Sequence, residues 1–178
     1  MQITHFVSDL ILVLVSIYVF FKYLIKLELG ETILWEAFVL SVGAAAFFGC
    51  IHYMGYEFGN MMSMFFQDIA SITGAFCLMF VAIAKVENYR IPPIVSYIIL
   101  TIGFLLFAMF DIFRIQIVAQ IIPQIALIMV LVMAIVAFFK GKIKLGTWLV
   151  LGVLFLFAAT MKAKLFPPNA DYVIDLFH

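Results

Sequence analysis

The stretch LIMVLVMAIVAFF at residues 127–139 decides the fold class of this chain, because every one of its side chains is apolar. Comparable runs are ILVLVSIYVFF at 11–21 and AFVLSVGAAAFFG at 37–49. Backbone polar groups inside a bilayer must be paired within the protein, so long runs of this kind form helices. They also lack the alternation typical of membrane barrel strands. The sequence therefore predicts transmembrane helices.

The composition of the whole chain supports the same conclusion. Of its 178 residues, 67% are hydrophobic and 11% are charged, whereas an ordinary soluble domain is about 45–50% apolar and about 25% charged. Disorder is excluded because it requires low hydrophobicity and high charge. Ten basic residues balance ten acidic ones, so no positive field indicates a nucleic-acid partner. The predicted partner is the lipid bilayer.

Six stretches reach the length of about 20 mostly apolar residues that a spanning helix needs. Short connections such as LELG and EFGN force neighbouring helices to run antiparallel in one bundle. We predict an all-α, polytopic transmembrane helix bundle that forms a single domain over residues 1–178. Residues 170–178 are predicted to begin a seventh helix in a native chain that continues past His178. The six predicted spans are 6–27, 32–56, 62–86, 92–112, 115–139 and 145–166.

The distribution of basic residues predicts the orientation. Cytoplasmic loops of membrane proteins carry an excess of lysine and arginine, and seven of the ten basic residues fall on the side reached after the first, third and fifth spans. We therefore place that side in the cytoplasm and the N-terminus outside. The seven are Lys22, Lys26, Lys85, Arg90, Lys140, Lys142 and Lys144.

Histidines and carboxylates gather at the opposite side. His5, His52 and His178 all map there, together with six of the ten acidic residues. Ionisable groups inside membrane helices are costly and tend to face a bundle interior or a wet cavity. This side is therefore predicted to hold a polar pocket that opens outward. The acidic residues are Asp9, Glu57, Asp68, Asp111, Asp171 and Asp175.

His52 shares one face of its helix with the small residues Ser41, Ala45 and Gly49, so a partner helix should approach it closely. It is a candidate metal ligand or general base, and the alternative is a histidine bonded to a neighbouring backbone. In the tail, Asp175 and His178 are spaced so that they face the same way on a helix. A carboxylate beside an imidazole is the usual arrangement around a metal-bound histidine.

Glutamines provide a second polar feature. Gln116, Gln120 and Gln124 are spaced by four and form one stripe, and Gln67 lies on a polar face of the third span. Glutamine cannot act as a base at neutral pH, so these four side chains are predicted to line a polar cavity or to join helices by hydrogen bonds. Asp68, next to Gln67, is the stronger candidate for chemistry because a carboxylate at that depth needs a partner.

Four features together resemble the CREST superfamily of seven-helix membrane hydrolases, which includes alkaline ceramidases and adiponectin receptors. They are Ser8-Asp9 early in the first span, GCIHYMGY at 49–56, FRIQIVAQIIP at 113–123, and Asp175 three residues before His178. The layout is nearest to small bacterial members, which implies a bacterial cytoplasmic membrane. The resemblance also implies a zinc ion on His52 and His178, with Asp9 and Asp175 as accompanying acids.

Two departures from that pattern keep a second class of function open. The last helix of the superfamily usually offers two histidines, and Gln120 stands where bacterial members tend to carry an aspartate. The first hypothesis is a metal-dependent hydrolase of a lipid-like amide or ester at the outer side, with Asp9, Asp68 or Asp175 taking the proton. The alternative is a non-catalytic subunit or scaffold that binds partner membrane subunits, or a protein that binds or transports a small solute.

Overall fold

A computed structural model describes the backbone of residues 3–165 and the side chains of residues 3–154. Within that part the chain is all-α, with six helices joined by short connections, which confirms the predicted fold class. A short 3₁₀ turn, Leu24–Lys26, follows the first helix. The helices are α1 (Ile3–Lys22), α2 (Leu29–Tyr53), α3 (Glu57–Glu87), α4 (Pro93–Asp111), α5 (Gln116–Phe139) and α6 (Ile143–Leu165).

Each predicted span corresponds to one of these helices. In the described residues, α1 to α5 are long and apolar enough to cross a membrane, and the part of α6 whose side chains are described, Ile143–Leu154, is a shorter apolar helix. The chain is therefore a multi-pass helical membrane protein. The predicted seventh helix at 170–178, with Asp175 and His178, lies outside the described residues.

The helix boundaries follow from local sequence. Pro93 occupies the first turn of α4, where its missing N–H costs nothing. Asn88 ends α3 in the left-handed conformation with φ of 54°, which asparagine tolerates better than most residues. These two residues give a tight return from α3 to α4, and therefore hold the two helices side by side.

Helix α3 is interrupted by a π-helical turn, Ala70–Gly74, near its middle. Thr73 lies in this turn and donates a hydrogen bond of 2.9 Å from Oγ1 to the carbonyl oxygen of Gly103 in α4. A Cβ on Gly103 would lie 2.9 Å from Thr73 Cγ2, which is too close for an ordinary contact. The turn is therefore the point of closest approach between α3 and α4.

The bundle has two ends, which we name by their contents. The histidine end contains the start of α1, the end of α2 and the start of α3. The ion-pair end contains the connections 23–28, 88–92 and 140–142. Apolar side chains such as Leu14 and Ile128 are exposed between the two ends, as expected for a surface that faces lipid.

Ion pairs and side-chain-to-backbone bonds tie the helices together at the ion-pair end. Lys85 of α3 contacts the mostly buried Glu31 of α2 at 2.5 Å. Ser96 of α4 donates a hydrogen bond of 2.7 Å to the carbonyl oxygen of Gly30. Lys142 Nζ donates to the carbonyl oxygens of Lys85 and Val86, where an ammonium group satisfies carbonyls at a helix C-terminus.

Candidate functional site

The buried side chains of helix α1 are polar, and many of its apolar side chains are exposed. His5, Asp9 and Ser16 are its buried residues, and His5 and Asp9 are one turn apart on the same face. Ile11 and Leu14, on other faces, are exposed. The exposed apolar side chains suit a lipid environment. The buried imidazole of His5 and carboxylate of Asp9 lie against the neighbouring helices.

Asp9 packs against a glycine of α2. A Cβ on Gly49 would overlap Asp9 Oδ2 and would lie 3.8 Å from Ser63 Oγ of α3. Asp9 and Ser63 are each 8% exposed. Gly49 is therefore required here for its size, because it leaves room for a carboxylate from α1 and a hydroxyl from α3 to approach the same point. We call His5, Asp9 and Ser63 the α1–α3 cluster.

Tyr53 links the α1–α3 cluster to His52. The rings of His5 and Tyr53 are stacked with centroids 5.6 Å apart, and the centroids of His52 and Tyr53 are 5.4 Å apart. His5 is 4% exposed, whereas His52 is exposed. Two imidazoles, one buried and one accessible, therefore flank one tyrosine at the last turn of α2.

Gln67 extends the cluster along α3. Its Nε2 donates a hydrogen bond of 3.3 Å to Ser63 Oγ, and its side chain is exposed. This contact places one of the four predicted cavity glutamines beside the buried hydroxyl. The cavity itself stays a prediction.

Asp68 belongs to a different surface of α3. It is half-buried and lies close enough to Asp111 of α4 for their negative charges to repel. Ser71 Oγ donates a hydrogen bond of 3.0 Å to the carbonyl oxygen of Asp68. The charge that acts on Asp68 is that of Asp111 in α4, whereas Asp9 and Ser63 meet at Gly49 of α2, so the described contacts do not join the two predicted catalytic carboxylates.

The glutamine stripe on α5 lies apart from the α1–α3 cluster. Gln116, Gln120 and Gln124 are all exposed in the described structure, although Val118, between them in sequence, is buried against α3 and α4. The stripe is thus on the outer surface of this part of the bundle, and no described contact joins its amides to Asp9 or His52.

Only one of the two predicted metal ligands, His52, is among the described residues. His52 is accessible at the histidine end, while His178 and Asp175 lie outside the described residues. Across residues 3–154, no three histidine, cysteine, aspartate or glutamate side chains are grouped so that they could hold a metal ion. Zinc accepts imidazole and carboxylate donors, so the residue types present suit it, but their number within the described residues does not complete a site.

Two members of the cluster, His5 and Ser63, were given no catalytic, metal-binding or cavity-lining role from the sequence, although His5 was counted among the histidines of the predicted polar pocket. A signal for His5 was present, because it precedes Asp9 by four residues and therefore shares its face. A weaker signal existed for Ser63, which precedes Gln67 by four. The sequence predicted a close helix approach on the face that contains Gly49, but it did not show that Asp9 and Ser63 are the side chains that meet there.

One family model matches nearly the whole chain. Residues 4–168 match a family described as a family of unknown function, DUF6962. The chain belongs to this family. No curated protein and no solved structure matches it. Membership covers all six helices, including the α1–α3 cluster, and assigns no activity to them.

Proposed function

We propose that this member of DUF6962 is a membrane-embedded hydrolase that cleaves a lipid-like amide or ester at the extracytoplasmic side, with its reacting groups at the histidine end. The observation that supports the proposal most is the burial of His5, Asp9 and Ser63 inside helices that cross a membrane. Ionisable groups in such positions are expensive and commonly mark functional sites.

The chemistry available to the α1–α3 cluster is acid–base catalysis. Asp9 accepts the proton of a water molecule as the water oxygen bonds to the substrate carbonyl carbon. The bond from that carbon to the leaving nitrogen or oxygen then breaks, and the proton passes to the leaving group. Ser63 donates a hydrogen bond that positions the substrate, and His5 orients Asp9 from the adjacent turn of α1.

Zinc enters the proposal through the superfamily resemblance. A zinc ion on His52 and His178 would supply Lewis-acid chemistry and a more acidic bound water. The described residues offer His52 and, on the same end, the carboxylate of Asp9, and both are donor types that zinc accepts. Since they do not complete a ligand set, the acid–base steps are carried out by Asp9, with Ser63 and His5 in supporting roles.

The proposal is tested by incubating purified protein in detergent with long-chain amides and esters and measuring released fatty acid by mass spectrometry. Asp9→Asn should lower the rate by about a hundredfold or more, since general acid–base groups contribute on that scale. Ser16→Ala is the matched control, because Ser16 is buried on the same helix but contacts Gly43 rather than the cluster. No hydrolysis by the parent protein, or equal rates for both variants, would contradict the proposal.

Elemental analysis separates the zinc component from the acid–base component. Stoichiometric zinc in the parent protein that is lost in His52→Ala would support metal-dependent hydrolysis. Protein that contains no stoichiometric metal but hydrolyses its substrate in an Asp9-dependent way would refute the zinc component and support the acid–base mechanism.

A second candidate function, a subunit of a larger membrane assembly, is favoured by the glutamine stripe. Gln116, Gln120 and Gln124 share the exposed surface of α5 with apolar residues such as Ile117 and Ile121. Amides that face hydrocarbon lose their hydrogen bonds to water, and amide contacts between helices restore them. A partner helix with polar side chains would satisfy the stripe.

Replacement of the three glutamines by leucine tests this second function. Loss of a co-purifying subunit would support it, provided that the control Ile117→Leu and Ile121→Leu, on the same surface of α5, retains that subunit. Protein that purifies without any partner and hydrolyses its substrate would refute it.

A further inference from the structure

An apolar groove lies between the second half of α3 and the first half of α4, at the ion-pair end. Its volume is about 310 Å³, and its floor consists of the buried side chains of Ala84, Ile91 and Ile99. Phe80 forms one wall, and Tyr89 is exposed at the mouth. The groove is far from the α1–α3 cluster, at the opposite end of the bundle.

The position of this groove in the membrane restricts what fills it. Ile99 is six residues into α4, so the floor reaches about 9 Å from the start of that helix. Phe80 is seven residues before the end of α3, which gives a similar depth. A cavity with apolar lining at this depth offers water few hydrogen-bond partners, so the groove is suited to a hydrocarbon chain.

Charges at the mouth indicate which hydrocarbon-bearing molecule fits. Glu87 lies at the mouth and is paired with Lys140 Nζ at 2.5 Å. An ammonium group has three donors, and the described bonds of Lys140 Nζ use one of them. Lys140 therefore neutralises Glu87 and keeps hydrogen-bonding capacity for an anion.

Two further cations lie close to the mouth. Lys142 Nζ donates a hydrogen bond of 2.6 Å to Asn88 Oδ1, directly before Tyr89. Arg90 follows Tyr89 and is largely exposed, with its Nε 3.1 Å from a carboxylate oxygen of Glu28. The excess of basic residues at this end complements an anionic headgroup, as basic pockets at the cytoplasmic side of membrane proteins do.

We propose that the groove is a binding site for one anionic phospholipid. One acyl chain lies over Ala84, Ile91 and Ile99, and the phosphate group contacts Lys140 and the guanidinium group of Arg90. The lipid fills the gap between α3 and α4, and it thereby links the α3–α4 return to the start of α6. This site is independent of the proposed hydrolase function, because it shares no residue with the α1–α3 cluster.

The test is to count and identify phospholipids that remain with the protein after purification in a mild detergent, by native mass spectrometry. We expect about one phospholipid per chain, with phosphatidylglycerol recovered in preference to phosphatidylcholine when the protein is first equilibrated in vesicles of an equimolar mixture. Lys140→Gln should weaken retention of phosphatidylglycerol about fivefold, since one basic residue near the headgroup contributes on that scale, and should leave phosphatidylcholine unchanged.

Filling the groove provides a second, independent measurement. Ile83→Trp, at a half-buried wall position, should displace the lipid. Ile98→Trp is the matched control, because Ile98 neighbours Ile99 on α4 but is exposed to the bilayer. Equal lipid retention in these two variants would overturn the acyl-chain site.

Two other results would also overturn the proposal. One is equal recovery of phosphatidylcholine and phosphatidylglycerol from the parent protein, which would show that the cations at the mouth select nothing. The other is a cross-link from a photoreactive group at Ile83 to a second polypeptide, which would show that a protein helix occupies the groove.

Discussion

The two ends of the bundle contain similar kinds of side chain and use them differently. At the ion-pair end, Glu31 and Lys85 contact each other directly at 2.5 Å, and hydroxyl and ammonium groups satisfy backbone carbonyls. At the histidine end, His5, Asp9 and Ser63 are buried around a glycine of α2. Polar groups at the first end form ion pairs and bonds to backbone carbonyls between helices, whereas those at the second surround a glycine where three helices meet.

This contrast has a physical consequence for stability and function. Breaking a buried ion pair or hydrogen bond between helices is costly, whereas active-site residues are commonly kept for function at the expense of stability. We therefore expect substitutions that disrupt the buried contacts at the ion-pair end to lower the free energy of unfolding without a specific effect on chemistry. Size-preserving substitutions in the α1–α3 cluster should abolish activity and cost less stability than these. The following four variants test that contrast.

Gly30→Ala should have the largest effect on stability. The new Cβ would overlap the carbonyl oxygen of Ile91 and lie 3.1 Å from Ser96 Oγ. Because a backbone atom cannot move aside as a side chain can, we expect the free energy of unfolding to fall by about 3 kcal/mol. Gly152→Ala is the control, since a Cβ there meets nothing within 4 Å. Denaturant unfolding in detergent measures both, and equal stabilities would contradict the close contact.

Lys85→Met should have the next largest effect. It leaves Glu31, whose side chain is 10% exposed, without its cation, whereas Lys85 itself is 39% exposed. The cost should be about 2 kcal/mol, between the values for exposed and fully buried pairs. Adding Glu31→Gln to Lys85→Met should recover part of this loss, since the double variant has no unpaired charge. A double variant less stable than Lys85→Met would argue against a direct ion pair.

Asp9→Asn should lower the free energy of unfolding by less than Lys85→Met does, because the amide preserves the size of the side chain and keeps an oxygen that can accept hydrogen bonds. The same variant should lose hydrolytic activity, as described above. Thermal unfolding of purified variants provides the comparison. A loss of stability as large as that of Lys85→Met would show that Asp9 is structural, and the distinction between the two ends would then fail.

Arg90→Ala should have the smallest effect. The side chains of Arg90 and Glu28 are 86% and 50% exposed, so solvent and salt screen their attraction. We expect a change below about 0.5 kcal/mol that is absent at high ionic strength. The measurement uses protein freed of phospholipid, and a larger change that persists in high salt would then indicate that Arg90 has a further contact within the protein.

The sequence predicted the helices well because their determinants are local. Long apolar runs and short connections fix where a chain crosses a bilayer, and each of the six predicted spans overlaps a helix. The boundaries differ where local chemistry intervenes. The first helix ends at Lys22 rather than at 27 because the chain turns at Leu24–Lys26. Helix α3 begins at Glu57 rather than at 62, and the search for apolar runs missed its first turn because that turn contains polar residues.

The composition of the site was predicted less completely because it depends on contacts between helices. Asp9 was identified from its residue type, but its neighbour Ser63 is 54 residues away and is brought near by the small size of Gly49. Asp68 was considered together with Asp9, yet the charge that acts on it is that of Asp111 in α4. Apolar helices carry no amphipathic stripe that distinguishes a lipid-facing surface from an interior one, so the sequence could not assign these residues to neighbours.

The π-helical turn Ala70–Gly74 has a consequence for comparing related sequences. Such a turn accommodates one extra residue, and each residue of an α-helix rotates the following side chains by about 100°. Deleting one residue from this turn would restore a regular α-helix and rotate Cys77 and Val81 away from the surface that they now bury. Family members that differ by a single-residue gap here would therefore need a different set of small side chains on one half of α3.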